Sequence, residues 1–230
     1  AGVDVVLAGD SLGMVIQGHD TTVPVTMDQM VYHSAAVARG LRRALLMTDL
    51  PFMSYTSPQQ ALTNATRLMQ DGGARVVKLE SGASQLQIVE FLAGHDIPVC
   101  AHLGLRPQSV HKTGGFRVQG REQQAAERML ADARALEAAG ADLLLLECIP
   151  SALGKTITEA VHVPVIGIGA GPSTDGQILV LYDILDITGG RKPRFVRNFM
   201  AGAGDCTQAV QAYVEAVRTG SYPAAEHEFA

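Results

Sequence analysis

Four carboxylates in this 230-residue chain each close an apolar, strand-like run: Asp10 after DVVLAG, Asp49 after ALLMT, Glu80 after RVVKL and Glu147 after LLLL. In α/β enzymes the chemistry gathers at strand ends, because the loops that follow shape a pocket over a rigid sheet. Acids collected there repel one another and resist desolvation unless a cation, a proton or a substrate offsets them. Their placement points to a hard metal ion and a carbonyl substrate.

Side chains alternate between the two faces of a strand. Asp10 shares parity with Ala8 and Val6, Asp49 with Met47 and Leu45, and Glu80 with Lys78 and Val76. His102 shares it with Cys100, and Glu147 with Leu145 and Leu143. A charged strand-end residue is tolerated far better at a barrel mouth than against a layer of helices. The four acids, His102 and Lys78 are therefore expected to converge on one site. Each has a bland alternative: Asp10 and Asp49 as caps of the following turns, Glu80 with Lys78 as a structural pair, and His102 as a satisfied core histidine. Taken jointly, these alternatives require the groups to ignore one another at one end of one sheet.

The elements that must position these groups alternate regularly. Strands are expected over residues 4–8, 44–48, 76–79, 98–101, 143–146, 165–168 and, with a weaker signal, 178–181. Helices are expected from Thr26 as N-cap, over 57–70 with Pro58 in the first turn, and over 85–93, 122–139, 151–160 and 206–219. Gly140 is a natural stop for the fourth of these. Regular β–α alternation predicts parallel strands joined by right-handed crossovers. A (β/α)8 barrel leads, and an open doubly wound sheet is second. The chain opens at Ala1 with AGV, which reads as the tail of a helix, so an N-terminal segment with one more strand is expected to be absent. Residues 1–230 are expected to form one N-terminally incomplete barrel domain.

A net charge of −5 and an aromatic content of 5% give no support to nucleic-acid binding. No apolar run approaches the ~18–20 residues needed to span a bilayer. Cys100, Cys148 and Cys206 are too widely spaced for a metal knuckle, and an odd count fits a reducing, cytoplasmic compartment. Gly167, Gly169 and Gly171 in GIGAG fit either a phosphate-cradling turn or tight packing. His227 and Glu228 are expected in a solvated tail, and the methionines as core filler.

At GDSLGMVIQGHDTTVPVT (residues 9–26) the sequence closely resembles the ketopantoate hydroxymethyltransferase family. The resemblance continues through TDLPFMSY, VKLE, CAHLGLRPQSV, GGFRVQGR, LLLLECIP, VIGIGAGPSTDGQ and EHEF, essentially the whole chain. It implies a barrel of the phosphoenolpyruvate mutase/isocitrate lyase group. The implied reaction carries a one-carbon unit from 5,10-methylenetetrahydrofolate to 3-methyl-2-oxobutanoate, giving 2-dehydropantoate and tetrahydrofolate in pantothenate biosynthesis. It also implies Mg2+ and a homodecamer. By motif, Asp10, Asp49 and Glu80 match the family's metal-binding acids; Ser11, Lys78 and His102 match substrate-binding positions, as Asp10 and Asp49 also do. Glu147 matches the proton acceptor. Ser81 departs from the family, which more often has Gly after KLE.

The chemistry these roles imply is enolisation. The proton α to a ketone is too weak an acid to leave unaided near neutral pH. A Lewis acid on the keto oxygen, the charge of Lys78 and a general base with a raised pKa would together release it. Two rivals remain at this stage: another magnesium-dependent 2-oxo acid lyase or mutase of the same barrel group, and a non-catalytic oligomeric binding protein.

Overall fold

Short runs rich in Leu and Val alternate with amphipathic stretches, and each run pairs with the next along the chain. The computed structural model describes residues 1–190 and 192–230. Seven strands lie side by side in sequence order, all parallel: β1 (Val5–Ala8), β2 (Leu45–Asp49), β3 (Val76–Glu80), β4 (Val99–Gly104), β5 (Leu143–Glu147), β6 (Val165–Ile168) and β7 (Gly176–Gln177). Among the described residues β7 does not pair with β1, so the curled sheet is seven strands of the expected barrel.

Helices fill the connections: α1 (Leu12–Val15), α2 (Met27–Gly40), α3 (Pro58–Gln70), α4 (Leu86–Ala93), α5 (Val110–Thr113), α6 (Gln123–Ala138), α7 (Ser151–Ala160), α8 (Leu181–Ile184) and α9 (Cys206–Arg218). The first long one starts where its sequence dictates. Thr26 Oγ1 accepts from Gln29 N at 3.3 Å, and Gln29 Oε1 accepts from Thr26 N at 2.8 Å, a reciprocal capping box. Ser57 Oγ caps α3 by accepting from Gln60 N, with Pro58 at the first helical position.

The alternation of β2 to β5 separates two cores. Val77, Leu79, Val99, Ala101, Leu144 and Leu146 pack outward against Leu68, Leu92, Leu136 and Ile157 of the helices. Each fully buried side chain of this size contributes about 1.5–3 kcal/mol. Met47, Val76, Cys100, Leu145 and Ile168 point inward, where Phe195, Phe199, Tyr213 and Tyr222 from the C-terminal part of the chain join them. The strands' register places Asp49 beside Lys78, Lys78 beside Cys100 and Glu80 beside His102, so the polar residues continue the inner face toward the C-terminal rim.

Three expectations need correction. The last strand is Gly176–Gln177, not 178–181. Leu179 turns into the inner core, and Leu181 begins a helical turn. His227 is buried rather than solvated: its Nδ1 accepts from Ala224 N at 3.1 Å and its ring packs on Tyr222. The parity argument also fails for Asp10. Val5 and Leu7, not Val6 and Ala8, face the inner cluster, so Asp10 reaches the rim because β1 has already ended at Ala8 and the chain turns.

Candidate active site

That turn is built around Gly9. A Cβ there would lie 3.1 Å from Ser11 Oγ and 3.3 Å from Asp49 Oδ2, closer than most real contacts. The missing side chain leaves room for both Ser11 Oγ and the Asp49 carboxylate at the end of β1. The Asp10 backbone N–H donates to Asp49 Oδ2 at 3.0 Å, locking the two acids' loops together.

From Asp49 a line of charged and polar groups crosses the rim strand by strand. Lys78 Nζ lies 2.5 Å from Asp49 Oδ1, with both side chains almost fully buried. The contact is a close approach of charges rather than an aligned hydrogen bond, and Oδ1 keeps an unmet hydrogen-bonding demand. On its other side Lys78 Nζ is 3.5 Å from His102 Nδ1, and His102 Nε2 is 3.3 Å from Glu147 Oε2. Burial, reinforced by the Lys78 charge, holds the His102 pKa well below its ordinary value, so the ring is neutral. An ammonium can only donate. Nδ1 is then the acceptor, and the ring proton sits on Nε2, near Glu147 but without an aligned partner.

A second line runs through Gln108, which the sequence reading passed over. Its Nε2 donates to Asp10 Oδ2 at 2.7 Å and to Leu50 O at 2.9 Å; its Oε1 accepts from Tyr55 OH at 2.5 Å. Its backbone N–H donates to Glu80 Oε1 at 2.8 Å. One amide residue thus joins β1, β2 and β3 at their rim. Its only mark in the sequence is position, four residues past the end of a strand that carries a rim histidine.

The electrostatics follow from burial. Asp10 is 5% exposed, and desolvation followed by the neighbouring Asp49 pushes its pKa well above the usual carboxylate range. Burial raises Glu80 to about 7, against the opposing pull of the Gln108 N–H and Lys78. Burial also raises Glu147 to about 7, although its side chain keeps 18% exposure and thus an opening toward a ligand. Lys78 is shifted upward, with Asp49 and Asp10 overcoming the cost of its burial. Four acids face one ammonium and a neutral imidazole.

That imbalance is what a divalent cation would relieve. Among the described residues no three His, Cys, Asp or Glu side chains form a ready-made ligand cluster. Yet buried Glu80 Oε2 has no partner, and Asp49 Oδ1 meets only the Lys78 charge. Oxygen donors alone suit a hard ion such as magnesium, which commonly uses one or two carboxylates and fills its remaining positions with water or substrate. The residues fit the ion. The GIGAG glycines instead serve packing: a Cβ at Gly167 would strike Thr174, at Gly169 Phe195, and at Gly171 Ser151.

The arrangement defines a class: a curled parallel α/β sheet with acids on its C-terminal rim. The fold is similar to 2,3-dimethylmalate lyase, a PEP mutase/isocitrate lyase superfamily member, with a TM-score of 0.54 and 16% identity over 72% of this chain and 59% of that one. Oxaloacetate acetylhydrolase matches with a TM-score of 0.54 and 14% identity over the same shares. At such identities the likeness concerns the fold alone. The sequence profile of the ketopantoate hydroxymethyltransferase family matches residues 1–225. The 3-methyl-2-oxobutanoate hydroxymethyltransferases of Alkalilimnicola ehrlichii and Halorhodospira halophila are 63% and 62% identical over the whole of this chain and 83% of their own length. The chain belongs to the ketopantoate hydroxymethyltransferase family.

Proposed function

We propose that the chain transfers a hydroxymethyl unit from 5,10-methylenetetrahydrofolate to 3-methyl-2-oxobutanoate, giving 2-dehydropantoate and tetrahydrofolate in pantothenate biosynthesis. Residues 1–230 act as one catalytic barrel domain. The observation that carries the reading, beside family membership, is Glu147: a carboxylate raised to about 7 that ends an inner strand face beside His102 and shares the rim with Lys78.

A magnesium ion held by Asp10 and Asp49, with Glu80 reaching it through water, would supply Lewis-acid polarisation of the keto oxygen. The chain's own groups do the rest. Lys78, fixed between Asp49 and His102, places a positive charge near the α-keto acid as negative charge develops. Ser11 Oγ, packed like Asp49 against the Gly9 turn, offers a hydroxyl to the substrate's carboxylate end. Glu147 Oε2 takes the proton from C3, its basicity matched to neutral pH by burial. His102 Nε2–H, 3.3 Å from Glu147 Oε2 and otherwise without a partner, lends the carboxylate a nearby donor dipole. The C3 carbanion equivalent forms the new C–C bond to the folate's one-carbon unit. One water supplies the hydroxyl oxygen as both C–N bonds of the methylene bridge are cleaved, and tetrahydrofolate leaves with its two nitrogens protonated.

No helix among the described residues is long and apolar enough to cross a membrane. Three free thiols support a cytoplasmic enzyme, and family resemblance supports a homodecamer, which light scattering would measure. The deciding assay incubates the protein with 3-methyl-2-oxobutanoate and magnesium, with and without methylenetetrahydrofolate. Folate-dependent 2-dehydropantoate supports the reading. Cleavage or rearrangement of a 2-oxo acid without folate would favour a lyase of the same fold, and inertness toward both a binding protein.

A further inference from the structure

We infer that the cleft above the ends of β2, β3 and β4 is the seat of the folate's bicyclic ring, with Phe52 and Met53 covering its face and Arg106 meeting the anionic tail. The inference rests on the proposed reaction and adds to it the place of the second substrate.

The cleft holds about 200 Å³ and is lined by Phe52, Met53, Tyr55, Gln85 and Arg106, with Glu80 and Gln108 as its floor. Glu80 and Gln108 belong equally to the rim network, so the cleft and the keto acid site share one wall. A ligand seated here would carry its one-carbon unit alongside the groups that generate the nucleophile. The volume lies below the ~300–1,000 Å³ that encloses an entire drug-sized ligand. It suits one ring system, the remainder of the molecule running out along the surface.

Two features are costly without a ligand. Phe52 and Met53 are 41% and 59% exposed, adjacent apolar side chains at the mouth of a polar site. Met53 has φ +61°, a left-handed conformation unusual for a non-glycine residue. Its loop is held in that shape: Gln60 Nε2 donates to Met53 O at 3.2 Å, Asn64 Nδ2 to Ser54 O at 2.7 Å, and Ser54 Oγ to Pro51 O at 2.7 Å. Helix α3 thus fixes an aromatic ring and a thioether over an opening, the arrangement on which a flat heterocycle stacks. Polar edges are met by Gln85 and Thr56, which also line the cleft. Arg106 is half-buried there, and among the described residues its one hydrogen bond is long, Nη1 to Ser81 O at 3.5 Å, leaving most of its donors for a carboxylate.

The test uses the full chain and the variants Phe52→Ala and Arg106→Gln. Calorimetric titration with tetrahydrofolate and with tail-less 6-methyltetrahydropterin reads binding. Metal-dependent deuterium exchange at C3 of 3-methyl-2-oxobutanoate, which needs no folate, reads the keto acid site. Phe52→Ala is expected to weaken both pterins on the order of tenfold, the scale of one lost stacking partner. Arg106→Gln is expected to weaken tetrahydrofolate alone, and C3 exchange should persist in both variants. Unchanged tetrahydrofolate affinity in both variants, while the wild type still performs transfer, would overturn this placement and leave the reaction standing. Parallel loss of exchange and affinity would also overturn it, since the side chains would then be supporting the rim as a whole. A wild type that exchanges C3 but never transfers the carbon would remove the reaction and this inference together.

Discussion

Removing the side chain of Gln108 is the sharpest perturbation of the rim. Gln108→Ala deletes the donor to Asp10 Oδ2 and Leu50 O and the acceptor of Tyr55 OH, while the backbone N–H to Glu80 stays. A hydrogen bond to a charged group contributes ~1.5–3 kcal/mol and a neutral one ~0.5–1.5, while a stranded buried group costs ~1–3. Water can enter the space through the adjoining cleft, so the effect falls short of the full set, and about 3 kcal/mol of lost stability is expected. Against a total of ~5–15 kcal/mol for a domain this is large, and the urea midpoint should fall with an unchanged slope. Function should change in a specific direction too. The Gln108 bond is one of the influences lowering the Asp10 pKa, so the variant should need more magnesium, or a higher pH, to reach half-maximal activity. A loss of less than about 0.5 kcal/mol, the range of ordinary surface substitutions, with an unaltered metal requirement would refute the role given to this amide.

Two further outcomes follow from the same geometry. Asp10, Glu80 and Glu147 have folded pKa values above their ordinary ones, so the stability they contribute is full below about pH 4 and is lost as pH rises, for Glu80 and Glu147 up to about 7. Urea titrations in EDTA should show midpoints falling between about pH 4.5 and 7 and levelling off above it, and magnesium should flatten that decline; identical profiles would speak against a cation site here. Gly104 has φ +94°, and a Cβ on it would lie 2.2 Å from Glu147 O. Gly104→Ala should therefore lower kcat more than KM for the keto acid while destabilising by about 2 kcal/mol or more, measured by steady-state kinetics and denaturation.

Much of this rim was legible because strands write it with a period of two. Asp49, Lys78, Glu80, His102 and Glu147 all continue the inner face of β2 to β5, and the register between those strands is what sets them side by side. Asp10 was placed at the right end by the wrong reason, since periodicity stops where the strand stops and a turn supplies the last step. Gln108 lies in a short 3-10 turn (Pro107–Ser109), where no periodic pattern marks a side chain's direction and an amide advertises no charge. The run Ile178–Leu179–Val180–Leu181 reads as a strand from hydrophobicity alone, but the inner cluster takes its apolar groups from a loop just as well. His227 escaped for a similar reason: the tail's burial depends on contacts with Tyr222, and Phe229 with Phe195, that only the folded chain brings together.

The account stands on acids distant in sequence acting on one C–H bond, with Glu147 as the group that removes the proton. Proton NMR of 3-methyl-2-oxobutanoate in deuterium oxide reads that event directly. With magnesium and wild-type protein the C3 methine signal should vanish, and with Glu147→Gln it should persist although the keto acid still binds. Exchange that proceeds undiminished in the Glu147→Gln variant would contradict the assignment at its root.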